Sequence, residues 1–222
     1  MSAGRQPAAV AGPLTTITGD RVVSVVRAER AFDIGSLVAA LTGGGIRAVE
    51  LTLTTPGILA ELAATDLSPV PGAVLGVGTV LTAEQADDAI DAGARFLVTP
   101  SVSEGVAHAA AARDVPVIMG ALSPTEVRAA LDLGATAVKI FPARAVGPDY
   151  LRDLHGPFPG TALIPSGGVN AGNAAAYLRA GAVAVTAGTD VVAPDLVAGG
   201  QWAAISERAA TFVAAIADED GR

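Results

Sequence analysis

The sequence predicts a single α/β domain folded as a (β/α)8 TIM barrel, and three observations carry that prediction. Short runs rich in Val, Ile and Leu recur eight times along the chain, with amphipathic stretches between them. Four of those stretches end alike, at Gly45-Ile46, Gly93-Ala94, Gly134-Ala135 and Gly181-Ala182. Glycine accepts the left-handed conformation just past a helix end, so each pair marks a turn from helix directly into strand. Finally, 222 residues suffice for one full core and are short for two.

In chain order, residues 1–20, rich in Ala, Gly and Pro, are expected to be a flexible lead-in ahead of a barrel domain spanning 21–222. The strands are expected at 21–26, 47–52, 73–78, 95–99, 115–120, 136–141, 161–165 and 182–187. Several helices between them open on a side chain suited to cap free N–H groups. These are Thr82 with Gln85, Ser103 with Glu104, Ser123 with Pro124 and Glu126, and Asn170. Single helices between strands imply parallel pairing with right-handed crossovers, and closure into a barrel removes the two open edges. An open doubly wound sheet is the rival, but no G-x-G-x-x-G follows the first strand. From Asp195 to Ile216, the spacing of Trp202, Ile205, Ala209 and Phe212 predicts a helix packed on the barrel exterior.

Charge and composition exclude several functions. A net charge of −8 without a basic stripe argues against a nucleic-acid partner. The absence of cysteine rules out disulfides, thiolate metal sites and a cysteine nucleophile. No run of about 18 apolar residues is free of Gly, Pro or charge, so no membrane role is expected. The first twenty residues lack a signal-peptide pattern, so a cytoplasmic protein is expected. His108 and His155 fall away from strand ends, and no metal site is expected.

In a (β/α)8 barrel the reactive groups come from the C-terminal ends of strands and the loops that follow. The sixth strand ends Val138-Lys139-Ile140-Phe141-Pro142, and Lys139 is the only lysine among fourteen basic residues. Burial disfavours the charged form of an amine and frees it to attack a carbonyl. Position alone divides evenly between such a nucleophile and a lysine that snorkels to the barrel mouth or pairs with a carboxylate. On the second strand, Glu50 and Thr52 share the face opposite Val49 and Leu51, which points Glu50 inward. A buried carboxylate there suits proton transfer in imine chemistry, the alternative being a structural ion pair with Lys139.

Two glycine-bearing loops, Ser166-Gly167-Gly168-Val169-Asn170 and Gly188-Thr189-Asp190, follow the seventh and eighth strands, where barrels commonly hold a phosphate. Arg27, ending the first strand, and Thr79, after the third, are further candidates for binding a carboxylate or polar oxygens.

These segments, together with Val77-Gly78-Thr79-Val80, Val98-Thr99-Pro100 and Met119-Gly120 with Pro124-Thr125-Glu126, resemble the 2-keto-3-deoxy-6-phosphogluconate (4-hydroxy-2-oxoglutarate) aldolases from about Val22 to Val191. The resemblance implies a homotrimeric class I aldolase. It would cleave a phosphorylated 2-keto-3-deoxy sugar acid to pyruvate and glyceraldehyde 3-phosphate, without a cofactor. It places the Schiff-base lysine on Lys139, the general acid/base on Glu50 and the phosphate loops on Gly167, Gly168, Gly188 and Thr189. Pro100 and Phe141 would line the substrate site, Phe141 beside the imine. Two positions depart from the family pattern. Thr54 stands where many members carry an arginine four residues after the glutamate, and Ser166 stands where threonine is usual but keeps the hydroxyl. Arg27 is expected to supply the missing guanidinium to the pyruvate carboxylate. The rival readings are an imine-free phosphosugar isomerase or epimerase, in which Lys139 acts only through its charge, and a non-catalytic phosphate-binding barrel.

Overall fold

The computed structural model describes residues 12–217. Within them the elements run α1 (Pro13–Asp20), β1 (Val22–Val26), α2 (Ile34–Gly43), β2 (Ala48–Thr52), α3 (Ile58–Ala64), β3 (Val74–Gly78), α4 (Ala83–Asp91) and β4 (Leu97–Val98). They continue with α5 (Glu104–Ala112), β5 (Val117–Ala121), α6 (Pro124–Asp132), β6 (Ala137–Ile140) and a 3-10 turn at Ala143–Ala145. The remainder is α7 (Asp149–His155), β7 (Leu163–Pro165), α8 (Ala174–Arg179), β8 (Val185–Ala187), α9 (Pro194–Ala198) and α10 (Trp202–Ala217). All eight predicted strands are present, each within its expected range or extending one residue past it.

The strands pair in parallel in the order β7-β6-β5-β4-β3-β2-β1-β8. Between β8 and β7 no ladder forms. The Val183 N–H donates to Leu163 O at 3.0 Å, and Thr186 Oγ1 donates to Pro165 O at 3.2 Å, so hydrogen bonds draw the two ends together into a nearly closed (β/α)8 barrel. Because side chains alternate along a strand, each strand serves two cores. Val23, Ala48, Phe96, Ile118, Ala137 and Ile164 fill the barrel floor, and the larger core lies between strands and helices. Gly76 makes room on that floor: a Cβ there would lie 2.4 Å from the Phe96 ring.

The four helix-ending glycines adopt the expected conformation, with φ of +93°, +107°, +80° and +99° at Gly45, Gly93, Gly134 and Gly181. At each, the next residue's N–H reaches five residues back: Ile46 to Leu41 O, Ala94 to Ala89 O, Ala135 to Ala130 O and Ala182 to Tyr177 O. The glycine's own N–H reaches three back, so one motif satisfies the last helical carbonyls at all four junctions. A fifth junction uses the same bonds with a different residue. Val115 N–H donates to Ala110 O across Asp114, which stands at φ +53°. Asp is among the few non-glycine residues that tolerate this region, so this junction is invisible to a search for glycine.

Three expected caps form as read. Thr82 accepts from Gln85 N, Ser103 accepts from Val106 N, and Ser123 with Glu126 completes a reciprocal capping box. The fourth does not. Asn170 bonds Gly172 N–H in a local turn, and α8 begins only after Asn173, because residues 170–173 are used to bind the preceding loop. The flexible lead-in also needs correction. Residues 13–20 form α1, whose Ile17 is 1% exposed and packs with Leu14 under the barrel floor. Burying an isoleucine contributes about 1.5–3 kcal/mol, enough to hold a short Thr-rich helix that has little propensity of its own. Residues 1–11, the rest of that expected segment, lie outside the described residues. The C-terminal prediction holds in part: Ile205, Ala209 and Phe212 are buried on one face of α10, but Trp202 is only half-buried, and the stretch from Asp195 is two helices, α9 and α10, broken at Gly199-Gly200, where Gly200 takes φ +61°. Helix α10 crosses α2 so closely that a Cβ at Gly44 would sit 2.5 Å from Ala209 Cβ.

Candidate active site

Glu50 on β2 and Lys139 on β6 project inward from opposite sides of the barrel and meet above the floor. Lys139 Nζ lies 3.4 Å from Glu50 Oε1 and 3.5 Å from Oε2. Their side chains are 9% and 2% exposed. An ammonium–carboxylate bond optimised for stability is shorter, about 2.7–2.9 Å. The looser approach leaves the amine accessible from the cavity above it while the carboxylate stays within reach of its protons.

Two glycines on neighbouring strands create this space. A Cβ on Gly78 of β3 would fall 1.9 Å from Glu50 Oε1, so the carboxyl group occupies the volume that any side chain there would take. Gly120 of β5, in register with Lys139, leaves room for the Pro100 backbone, whose carbonyl carbon would lie 2.2 Å from a Cβ. Thr99, fully buried, fixes that approach by donating to Ser101 O at 2.7 Å and accepting from Gly120 N at 3.1 Å.

Above the pair opens a cavity of about 470 Å³. Every residue expected from sequence lines it: Glu50 and Lys139 at its base, with Arg27, Thr79, Pro100 and Phe141 around them, and Ser166, Gly167, Gly168, Gly188 and Thr189 at one side. Phe141 is 41% exposed and stands 5.7 Å, ring centroid to Nζ, from Lys139. Thr79 holds φ +61°, a strained position for a β-branched residue of the kind that persists where surrounding structure fixes it. Arg27 is exposed at the end of β1, and the Ala28 N–H that follows it is tied to buried Thr55 Oγ1 at 3.0 Å. Thr54, where the family resemblance expects arginine, instead has its hydroxyl 3.0 Å from that of Thr52.

The loops after β6 and β7 are stapled together. Ser166 N–H donates to Ile140 O, Ala143 N–H to Ser166 O and Arg144 N–H to Gly167 O. Tyr177, whose hydroxyl is held protonated by burial, donates to Ala143 O at 3.1 Å. Gly167 and Gly168, at φ +87° and +86°, and Gly188 and Thr189 in the adjacent loop after β8 carry N–H groups that find no acceptor among the described residues. Four backbone N–H groups without an acceptor among the described residues, on two neighbouring loops that line the cavity, suit an anion. Arg144, which the sequence reading did not single out, also lines the cavity. The cavity thus gathers Arg27, Lys139 and Arg144 against Glu50 alone, on a chain whose net charge is −8. A buried amine beside a carboxylate, under a positively charged mouth with an anion cradle, is arranged to form an imine with an anionic carbonyl compound.

The sequence matches the family model described as Aldolase: KDPG and KHG aldolase over residues 15–208. It is 36% identical over 187 residues to a 2-dehydro-3-deoxy-phosphogluconate aldolase of Treponema pallidum (strain Nichols), covering 84% of this chain and 89% of that one. The fold is similar to a solved structure described as "Native KDPGal structure", with TM-score 0.81 and 30% identity over 90% of this chain and 96% of that one. It is also similar to a KDPG aldolase from Legionella pneumophila with pyruvate captured as a covalent carbinolamine intermediate, at TM-score 0.79 and 28% identity over 91% and 98% of the two chains.

Proposed function

The chain belongs to the KDPG and KHG aldolase family, lyases of carbon–carbon bonds, and on that premise we propose that it cleaves 2-keto-3-deoxy-6-phosphogluconate or its C4 epimer to pyruvate and glyceraldehyde 3-phosphate. 4-Hydroxy-2-oxoglutarate is a second substrate of the same chemistry. The observation that carries this reading is the buried Lys139–Glu50 pair beneath the anion-lined cavity.

In this mechanism the Lys139 amine attacks the C2 carbonyl to give a carbinolamine. Glu50 passes a proton to the departing hydroxyl, and water leaves as the imine forms. Glu50, now a base, takes the proton of the C4 hydroxyl. The C3–C4 electrons move into the iminium, releasing glyceraldehyde 3-phosphate and leaving an enamine on Lys139. Protonation at C3 and hydrolysis of the resulting imine return pyruvate and the free amine. Arg27 holds the keto-acid carboxylate, Thr79 its oxygens, Phe141 covers the imine, and the Gly167-Gly168 and Gly188-Thr189 loops hold the phosphate. A carbonyl activated only by a cation would need no amine so close to a proton carrier, which disfavours the imine-free isomerase.

Incubation with pyruvate and borohydride tests this directly, since reduction fixes an imine irreversibly. The expected product is a single adduct mapped to Lys139, the one lysine of the chain. In Arg27→Ala the pyruvate concentration giving half-maximal trapping should rise about tenfold, the usual scale for a lost charge-assisted hydrogen bond. No adduct in the parent protein would eliminate the class I assignment, and unchanged trapping in the variant would remove Arg27 from carboxylate binding.

We propose further that the enzyme works as a cytoplasmic homotrimer, in a route that degrades phosphorylated sugar acids of the Entner–Doudoroff kind. Supporting self-association, the fold is similar, at TM-score 0.81 and 30% identity over 90% of this chain and 73% of that one, to a protein cage designed by fusing symmetric oligomeric domains. Sedimentation velocity should return three chain masses, and a monomer at micromolar concentration would refute the assembly.

A further inference from the structure

The Gly167-Gly168 loop does more than offer N–H groups. A Cβ on Gly167 would lie 3.2 Å from the Phe141 ring, and one on Gly168 only 2.6 Å from Arg144 Cβ and 3.3 Å from its Cγ and Cδ. The two glycines therefore clear space for two side chains of the neighbouring loop, one apolar and one cationic, both of which line the cavity. Phe141 already has a place beside Lys139. Arg144 has none in the mechanism described so far.

Its setting is specific. The Arg144 backbone is fixed to the phosphate-side loop through Gly167 O at 3.0 Å, and its stem lies over Gly168. Arg47, Arg113, Arg128 and Arg152 all pair with aspartates. Arg144 pairs with no carboxylate among the described residues, and Asp190 stands in the loop after β8. Asp190 is engaged instead with the Ala171 N–H at 2.8 Å. A guanidinium so placed is uncommitted, and its planar fork matches a phosphate bidentately in a way that backbone donors alone do not.

We propose that Arg144 is a specificity-determining residue that binds the distal phosphate of the substrate, favouring phosphorylated keto acids over those that end in a neutral hydroxyl. The proposal rests on the aldolase reading above and assigns the phosphate end of that site. Arg27 and Arg144 then divide the labour. Arg27, at the end of β1, takes the carboxylate next to the reacting carbonyl, and Arg144, beside the β7 loop, takes the far anion.

The test is steady-state cleavage of 2-keto-3-deoxy-6-phosphogluconate and of unphosphorylated 2-keto-3-deoxygluconate by the parent enzyme, Arg144→Ala and Arg144→Lys, with pyruvate trapping by borohydride run alongside. For Arg144→Ala the KM for the phosphorylated substrate should rise about 10- to 100-fold, the scale of a lost charged hydrogen-bond pair, with kcat within about threefold of the parent. Cleavage of the unphosphorylated compound and pyruvate trapping should be unchanged, and lysine should restore part of the KM without the bidentate contact. An unchanged KM, or an equal loss on both substrates, overturns the assignment of Arg144 while leaving the aldolase reading intact. Failure of the parent protein to trap pyruvate removes both.

Discussion

Lys139→Ala is expected to abolish turnover, lowering kcat/KM by at least about 10⁴-fold, because no other group in the cavity can become covalently bound to the substrate and accept the C3–C4 electrons. The same substitution leaves Glu50, 2% exposed, without its partner. Breaking a buried pair on one side costs about 3–5 kcal/mol unless the carboxylate takes up a proton, so loss of activity by itself would not separate chemistry from folding. Lys139→Arg separates them. It keeps a cation beside Glu50, and the cavity above provides room for the longer side chain, but a guanidinium stays protonated and cannot form the imine. A folded Lys139→Arg protein that melts near the parent temperature yet neither cleaves substrate nor traps pyruvate is the expected result. Turnover within tenfold of the parent in Lys139→Arg would show that Lys139 acts by charge alone, and the same result in Lys139→Ala would show that the reaction does not need it.

Gly78→Ala should be nearly as damaging to catalysis while sparing the fold. The added methyl would lie 1.9 Å from Glu50 Oε1 and 2.4 Å from its Cδ, so the carboxylate has to leave its present position. What it meets is the end of a flexible side chain rather than backbone, and Glu50 can swing into the cavity, so little stability should be lost. The proton-transfer role proposed for Glu50 depends on its reaching the atoms around Lys139. Displaced general acid–base groups typically lose about 10²- to 10⁴-fold, and that is the expected fall in kcat. The pyruvate binding proposed for Arg27, in the loop after β1, should persist. Circular dichroism with a full kinetic comparison decides: a well-folded Gly78→Ala with parental kcat would mean that the position of Glu50 is immaterial to the reaction.

Most of the fold and the centre of the site are legible in the sequence, and the reason is the same for both. Strand alternation and glycine-ended helices are local signals, and a barrel converts strand position into cavity position. Placing Glu50 and Lys139 at inward-facing positions of two strands on opposite sides of the barrel is therefore enough to bring them together. The misreadings are those in which tertiary contact outweighs local signal. Helix α1 carries Pro13, four β-branched residues and Gly19, a poor helical composition, and is held by the packing of Ile17 beneath the floor. Asn170 has the side chain of a cap but spends it on a turn, displacing the start of α8 to Ala174. Arg144 resembles any surface arginine in a loop, and only the 2.6 Å approach to Gly168 shows that the β7 loop is shaped around it. The junction at Asp114 escaped because aspartate carries no unique signature for the left-handed conformation.

The glycine turns at residues 45, 93, 134 and 181 all lie where helices feed into the starts of strands, on the face of the barrel away from the cavity. Residues that would tune substrate choice, from Arg27 to Thr189, lie at the opposite ends of the same strands. Inheritance can therefore act on the two faces separately. Variation in the mouth loops explores new sugar acids without touching the turns that close the barrel, whereas a change in one of the turns endangers the whole molecule and leaves substrate preference unaltered.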